Sequence, residues 1–359
     1  MYGLYHEFWQ EIEKHIPKES NELILSPIYE LNNVSFAAIC DNQSTAKNSV
    51  ENRNERGVII GSRGKEYSCN FLIDKFKIRY VQSARSLLKE NSTLKTKSSL
   101  LAVGGVNYNN LNSEKNKKEE RSKETVEINN ELYEAILLQR KSSSFSDFGF
   151  LPNTEIEVDQ IGKECKQKSW KVELLKSSEA DESSLTYLLS KKSFEILHLA
   201  THGFSLPENR ISGLQTDPLN LCGLVLAGGN KSWESRENAN KMIKQYGHDG
   251  ILTGNEVLNL PISESKLVVL SACETSLGKI QGMESSQSLS RMFLMSGVDC
   301  VISSLWSVPD KETMELMTLF YSDLTKSLNP VSSFEKAQKE MRNKYPTDPE
   351  KWAGFVLVR

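Results

Sequence analysis

Cys273 lies in the run Lys266-Leu-Val-Val-Leu-Ser-Ala-Cys-Glu-Thr275, and His202 ends the run Phe194-Glu-Ile-Leu-His-Leu-Ala-Thr-His-Gly203. Both are apolar stretches of strand composition that deliver a reactive side chain at or just past their carboxyl ends. A thiolate is a strong nucleophile. An imidazole beside it lowers its pKa or accepts its proton, then protonates a leaving amine. Gly203 lets backbone approach a substrate closely, so its N–H and that of Cys273 are the candidates for holding a developing oxyanion. Cleavage of an acyl bond is the chemistry such a set performs.

These two runs need a scaffold that brings their ends together. From Leu100 onward, strand-like runs alternate with helical stretches, which argues a βαβ sheet. The expected strands are Leu100–Val106, Val172–Leu175, Phe194–Leu199, Leu267–Ser271, Val298–Leu305 and Phe355–Val358. The expected helices are Glu155–Lys168, Glu182–Lys191, Ser285–Ser296, Lys311–Lys326 and Ser333–Tyr345. In a doubly wound sheet the carboxyl ends of neighbouring strands line one crevice, so Cys273 and His202 arrive at the same edge. Upstream, Leu4, Phe8, Ile12 and Ile16 form the stripe of an amphipathic helix that starts uncapped at Met1, as at the cut end of a longer chain. Short strands at Leu23–Leu25, Val34–Ala38, Val58–Ile60, Phe71–Ile73 and Lys77–Val81 then read as a small β-rich subdomain. The expected division is residues 1–99 and residues 100–359. Ser113–Glu127 is a mixed-charge run read as a solvated loop, and Ser205–Gly250 reads as a surface excursion carrying its own hairpin around Leu221–Leu226.

Composition removes several function classes. With 38% hydrophobic and 25% charged residues among 359, the chain is an ordinary globular protein of about two domains. A net charge of −3 provides no basic field for nucleic acid or an anionic membrane surface. No apolar run reaches the ~18 residues of a membrane span, and Glu7, Glu11 and Glu13 stand where a secretion signal is basic then apolar, so a cytoplasmic protein is expected. The six cysteines are scattered without C-x-x-C spacing, which argues free thiols; all but Cys273 lack a strand-end partner and read as structural.

The remaining polar residues have simpler readings. His198 and His202 form H-x-x-x-H, but four residues of strand span ~13 Å, so the two cannot share one ion and no metal site is expected. His198 reads as a core or supporting histidine and His248 as a loop residue. Glu274 reads as a carboxylate that stabilises a loop or faces solvent. Gly223-Leu-Val-Leu-Ala-Gly-Gly-Asn-Lys-Ser232 misses phosphate-loop spacing, and G-x-G-x-x-G is absent, so no nucleotide or other cofactor is expected. Asp310 precedes a helical stretch and is a favoured N-cap type. Trp306 is a wall of a cleft or a core residue.

Six motifs, His198-Leu-Ala-Thr-His-Gly203, Leu221-Cys-Gly-Leu-Val-Leu-Ala-Gly228, Gly250-Ile-Leu-Thr253, Val268-Val-Leu-Ser-Ala-Cys-Glu-Thr275, Ser304-Leu-Trp-Ser-Val-Pro-Asp310 and Trp352-Ala-Gly-Phe-Val-Leu-Val358, resemble in order and spacing the CHAT family. The likeness reaches back through Phe71-Leu-Ile-Asp-Lys75, Tyr80-Val-Gln-Ser-Ala84, Leu23-Ile-Leu-Ser-Pro27 and Val34-Ser-Phe-Ala-Ala38, nearly the whole chain. These are bacterial caspase-like and separase-like cysteine peptidases, often fused to tetratricopeptide repeats. The resemblance implies an α/β caspase-like doubly wound sheet, preceded by a small β-rich degenerate caspase-like subdomain. It makes His202 and Cys273 the catalytic dyad and Gly203 part of the oxyanion site. It also makes Trp306, Ser307 and Asp310 candidates for the substrate pocket, with Asp310 suited to Arg or Lys. The sequence departs from many relatives at Met283-Glu284-Ser285, where they carry Gly-Glu-Gly, which implies altered loop geometry behind the nucleophile. The expected partners are a protein or peptide substrate, a regulatory protein and an upstream helical-repeat module, with no nucleic acid and no membrane. Regulation by a partner or by rearrangement of the Ser205–Gly250 excursion, in bacterial defence or regulated cell death, follows the same resemblance. A catalytically silent scaffold and an acyltransferase using the same dyad remain as alternatives.

Overall fold

Along Leu100–Val103 every residue is apolar, as expected of a strand buried on both faces. In the computed structural model these residues sit in β5 (Ser99–Val106), near one end of an eight-stranded sheet. The structure describes residues 2–27, 31, 34–41, 51–53, 59–62, 70–88, 93–110, 132–133, 136, 147–206, 218–271, 285–306 and 308–359. Within them the other sheet strands are β1 (Glu22–Leu25), β4 (Lys77–Tyr80), β6 (Lys171–Ser177), β7 (Ile196–Leu199), β11 (Leu267–Leu270), β12 (Cys300–Ser304) and β13 (Phe355–Val358), in the order β1-β4-β13-β12-β11-β7-β5-β6. Strands β12, β11, β7, β5 and β6 run parallel, and β13 joins them antiparallel to β12. Strands β4 and β1 run parallel to β13, so the N-terminal segment completes the same sheet as the C-terminal part. A short pair, β2 (Glu51–Arg53) with β3 (Ile59–Ser62), is separate.

Alternate residues serve two cores. Leu100, Ala102, Ile196, Leu267, Val269 and Ile302 pack against helices α4 (Pro152–Gln167), α10 (Asp310–Ser327) and α11 (Pro330–Lys344). Leu101, Val103, Leu197, Leu199, Val268, Leu270 and Val301 face α5 (Glu182–Lys191) and α9 (Ser285–Met295). That second face also carries a three-stranded antiparallel sheet, β8 (His202–Ser205), β9 (Cys222–Val225) and β10 (Ile251–Thr253), with helices α6 (Gly229–Glu234), α7 (Arg236–Tyr246) and α8 (Gly254–Leu258). The described part of Ser205–Gly250 is therefore not a surface excursion with a private hairpin. Leu221, Leu224, Val225, Leu226 and Trp233 are core residues, and β9 pairs with strands on either side of the segment.

The N-terminal region differs from its sequence pattern in three places. Its helix consists of α1 (Tyr2–Leu4), a π-helical stretch Tyr5–Trp9 and α2 (Gln10–Glu13). The wider turn changes the buried face, so Trp9 is 1% exposed and Ile12 is 37% exposed. Val34–Ala38 contains a 3₁₀ turn at Phe36–Ala38, and Phe71–Ile73 leads into α3 (Leu72–Lys75), where the Asp74 carboxylate accepts the Phe71 N–H at 3.1 Å. A short buried apolar run does not by itself separate a strand from a turn. Ser113–Glu127 lies outside the described residues.

Candidate active site

Leu199, the last residue of β7, is the register partner of Leu270 at the end of β11. His202 and Cys273 each follow these partners by three residues in the sequence. Strand β7 does not itself extend to His202. The chain bends at Ala200 and Thr201, and His202 opens β8 in the small sheet, opposite Val225. Thr201 makes the break tolerable: its hydroxyl donates to the Val225 carbonyl at 2.5 Å and lies 3.0 Å from the Tyr108 hydroxyl, so these polar groups are paired where one sheet yields to the other.

His202 is 3% exposed. Its ring lies between Tyr108 and Phe148, with centroids 5.0 and 5.3 Å away, and its Nε2 is 2.7 Å from the carbonyl oxygen of Gly149. A carbonyl can only accept, so Nε2 carries the proton and Nδ1 is the lone-pair nitrogen of the neutral ring. Burial pulls the imidazole pKa below its ordinary value, while the Gly149 carbonyl and the Asp310 carboxylate oppose the shift. Asn230 holds Phe148 in both directions: its side-chain oxygen accepts the Phe148 N–H at 2.8 Å, and its Nδ2 donates to the Phe148 carbonyl at 3.1 Å. Phe148 then packs edge-on against Trp233 at 4.9 Å.

Gly203 follows in β8, buried and opposite Leu224. Asp310 is the first residue of α10, and Pro309 takes the N-cap position, so Asp310 is not the cap. A carboxylate in the first turn still suits the helix dipole. Its Oδ2 accepts two hydrogen bonds from Asn153, from the backbone N–H at 3.3 Å and from Nδ2 at 2.7 Å. Trp306 is half-buried, donates from Nε1 to the Glu350 carbonyl at 3.3 Å, and packs against the edges of two cores. Cys273, Ser307, Glu274, Met283 and Glu284 lie outside the described residues, as does Cys69. Cys40, Cys165, Cys222 and Cys300 are buried, and burial pushes the thiols of Cys165 and Cys300 up to about 12, far from a nucleophile's range.

His198 is fully buried on the other face of the sheet. Its Nε2 is 2.7 Å from Glu157 Oε1 and its Nδ1 is 3.2 Å from the Tyr321 hydroxyl. His248 is a loop residue but a buried one, with its ring nitrogens 3.7 Å from Glu182 and 4.0 Å from Asp181. The groups sequence reasoning missed are Tyr108, Phe148, Gly149, Asn153 and Asn230. A backbone carbonyl leaves no side-chain signature, so Gly149 could not be found from residue types. The Pro152 that opens α4 just beyond it was the available clue to an ordered segment there.

The sequence matches the CHAT domain over residues 2–359, and the chain belongs to the CHAT domain family. It is 35% identical over 109 residues to tetratricopeptide repeat protein 28 of Mus musculus and, at the same identity and length, to that of Homo sapiens. Those matches cover 30% of this chain and about 4% of the length of either relative. Among solved structures, the Arg-specific cysteine proteinase gingipain R aligns with a TM-score of 0.47 at 10% identity, over 97% of this chain and 66% of that one. The complex of Porphyromonas gingivalis RgpB pro- and mature domains aligns with a TM-score of 0.46 at 12% identity, over 97% and 67%. Among the described residues, no helix is long and apolar enough to cross a membrane.

Proposed function

We propose that this chain is a cysteine endopeptidase in which Cys273 is the nucleophile and His202 the proton carrier. The reading assigns the chemistry to residues 100–359, with residues 1–99 as the degenerate part that completes the sheet. The observation that supports it most is the state of His202: a buried ring fixed in one tautomer, three residues past a strand end that is in register with the strand end preceding Cys273. In the proposed mechanism Nδ1 takes the thiol proton and the thiolate sulfur bonds to the substrate carbonyl carbon, whose π pair moves onto oxygen. The N–H groups of Gly203 and Cys273 receive that oxyanion. On collapse the C–N bond breaks, the amine takes the proton from Nδ1, and a thioester remains. Water then attacks with His202 as base, releasing the acid and restoring the thiol. The Gly149 carbonyl keeps its bond to Nε2–H throughout.

Trp306 and Ser307 are proposed to border the substrate cleft; contact of the Asp310 carboxylate with a cationic side chain before the cut competes with the bonds that its Oδ2 accepts from Asn153. The name of the mammalian relatives fits an upstream helical-repeat module as the regulatory partner. Action in the cytoplasm, in bacterial defence or regulated death, is the context proposed from the family resemblance. The test is labelling with a thiol-reactive peptide ketone together with digestion of a peptide library. The expected outcome is modification at Cys273 and new N-termini that vanish in Cys273→Ala, a loss of roughly 10⁴-fold or more. Undiminished cleavage by folded Cys273→Ala overturns the dyad. No cleavage and no labelling by the wild type leaves the chain as an interaction scaffold.

A further inference from the structure

The segment 147–151 carries the carbonyl that holds His202, yet it belongs to no strand or helix among the described residues. It is fastened at two points. On one side Asn230 clamps both backbone groups of Phe148. On the other, Thr154 donates its hydroxyl to the Leu151 carbonyl at 2.7 Å and accepts the Gly105 N–H at 2.9 Å, while Asn153 gives two N–H groups to one oxygen of Asp310. Asp310 comes from a distant part of the chain, at the head of α10, so its bonds tie the start of α4 to the start of α10. We propose that Asn153 and Asp310 form a positioning pair for His202, holding the head of α4 so that the Gly149 carbonyl stays in line with Nε2–H and only one imidazole tautomer is populated. The inference rests on the reading of His202 as proton carrier, and it gives Asp310 a role other than contact with substrate.

The residue types suit this role. Asp310 is an acceptor, and Asn153 presents a backbone and a side-chain donor to it, so the pair is directional. The carboxylate also acts on the ring through its charge, favouring the protonated imidazole that the mechanism forms, and the same charge reaches the Tyr108 hydroxyl. Asn at position 310 keeps an oxygen acceptor for both Asn153 donors but removes the charge, which separates the two effects.

The test uses the whole chain, labelled with ¹⁵N in histidine, and reads the His202 ring nitrogens by long-range proton–nitrogen spectra. The wild type is expected to show a protonated Nε2 and an unprotonated Nδ1 at neutral pH. Asn153→Ala and Asp310→Ala are expected to move both nitrogens toward a tautomer average and to lower kcat by roughly 10- to 100-fold with KM changed less than about twofold. Asp310→Asn is expected to keep the wild-type tautomer while the His202 titration midpoint falls. Unchanged ring nitrogens in both folded alanine variants overturn the proposal. If those variants do not fold, ring nitrogens averaged between tautomers in folded Asp310→Asn, which keeps an acceptor for both Asn153 donors, do so. Altered ring nitrogens in a chain that cleaves no peptide leave the positioning pair standing and remove the peptidase reading. Cleavage that is lost in Cys273→Ala, with ring nitrogens indifferent to position 153, does the reverse. A large rise in KM for cationic substrates alone assigns Asp310 to the pocket instead and also overturns the proposal.

Discussion

Three carboxyl groups cluster beside the small sheet, Glu182 buried, Asp249 half-buried and Glu256 reaching solvent, and their protonation ties stability to pH. Glu182 accepts the Gly250 N–H at 3.1 Å, Asp249 accepts the Ile251 N–H at 2.9 Å and the Tyr133 hydroxyl at 2.5 Å, and Glu256 accepts the Thr253 N–H at 2.8 Å and its hydroxyl at 2.7 Å. Loss of hydration raises all three above the ordinary carboxyl range; the negative charge of Asp249 adds to the effect on Glu182 and Glu256, and Glu256 reaches about 7. A group raised in the native state holds its proton there when the unfolded chain has released it. Its contribution is therefore complete below its ordinary 4.5 and lost as pH climbs through about 7. Glu256 reaches solvent, which screens its charge, so its share across that interval is about 1 kcal/mol. Glu256→Gln keeps an oxygen for the two Thr253 donors and cannot ionise. It is expected to match the wild type near pH 4.5 and to exceed it by about 1 kcal/mol at pH 8. Urea midpoints followed by tryptophan fluorescence from pH 4.5 to 8, at equal m, measure the difference. Parallel wild-type and variant curves across this range refute the retained-proton account.

Two further outcomes rest on packing and thiol burial. A Cβ at position 354 lies 2.4 Å from Val308 Cγ2 and 2.9 Å from Trp306 Nε1, so Gly354→Ala is expected to lose about 1–3 kcal/mol in urea unfolding and to shift tryptophan emission as Trp306 leaves Glu350; wild-type stability refutes this. Cys165 and Cys300, with thiols held near 12, are expected to resist iodoacetamide at pH 8 in the native protein and to react only in denaturant, as read by mass spectrometry; native labelling at the denatured rate contradicts it.

The central strands were legible because burial on both faces makes them continuous apolar runs of the right length. Leu267–Leu270 and Phe355–Val358 fall where the sequence puts them, to within a residue. Helix interiors were equally plain, but their starts were not: α4 begins at Pro152 and α11 at Pro330, ahead of the apolar periodicity, because proline is tolerated in a first turn. The run from Phe194 to Gly203 looked like one strand because apolar content does not register a change of sheet. What divides it is Thr201, whose hydroxyl satisfies backbone at the bend, and that depends on Val225 and Tyr108, far away in sequence. The histidine itself was readable by type and place. Its tautomer was not, since a carbonyl 53 residues earlier sets it.

That last contact bears on how a buried imidazole works at all. A ring 3% exposed resists taking a proton, because desolvation penalises the cation. A carboxylate bonded directly to Nε2–H would offset this strongly and hold the ring charged even when idle. A neutral carbonyl orients the ring as well but stabilises the cation less, and the charge of Asp310 adds a weaker pull. Under the proposed mechanism the resting ring is thus neutral with its lone pair on Nδ1. It becomes cationic only when a thiolate forms beside it, so the ion pair appears together with the nucleophile.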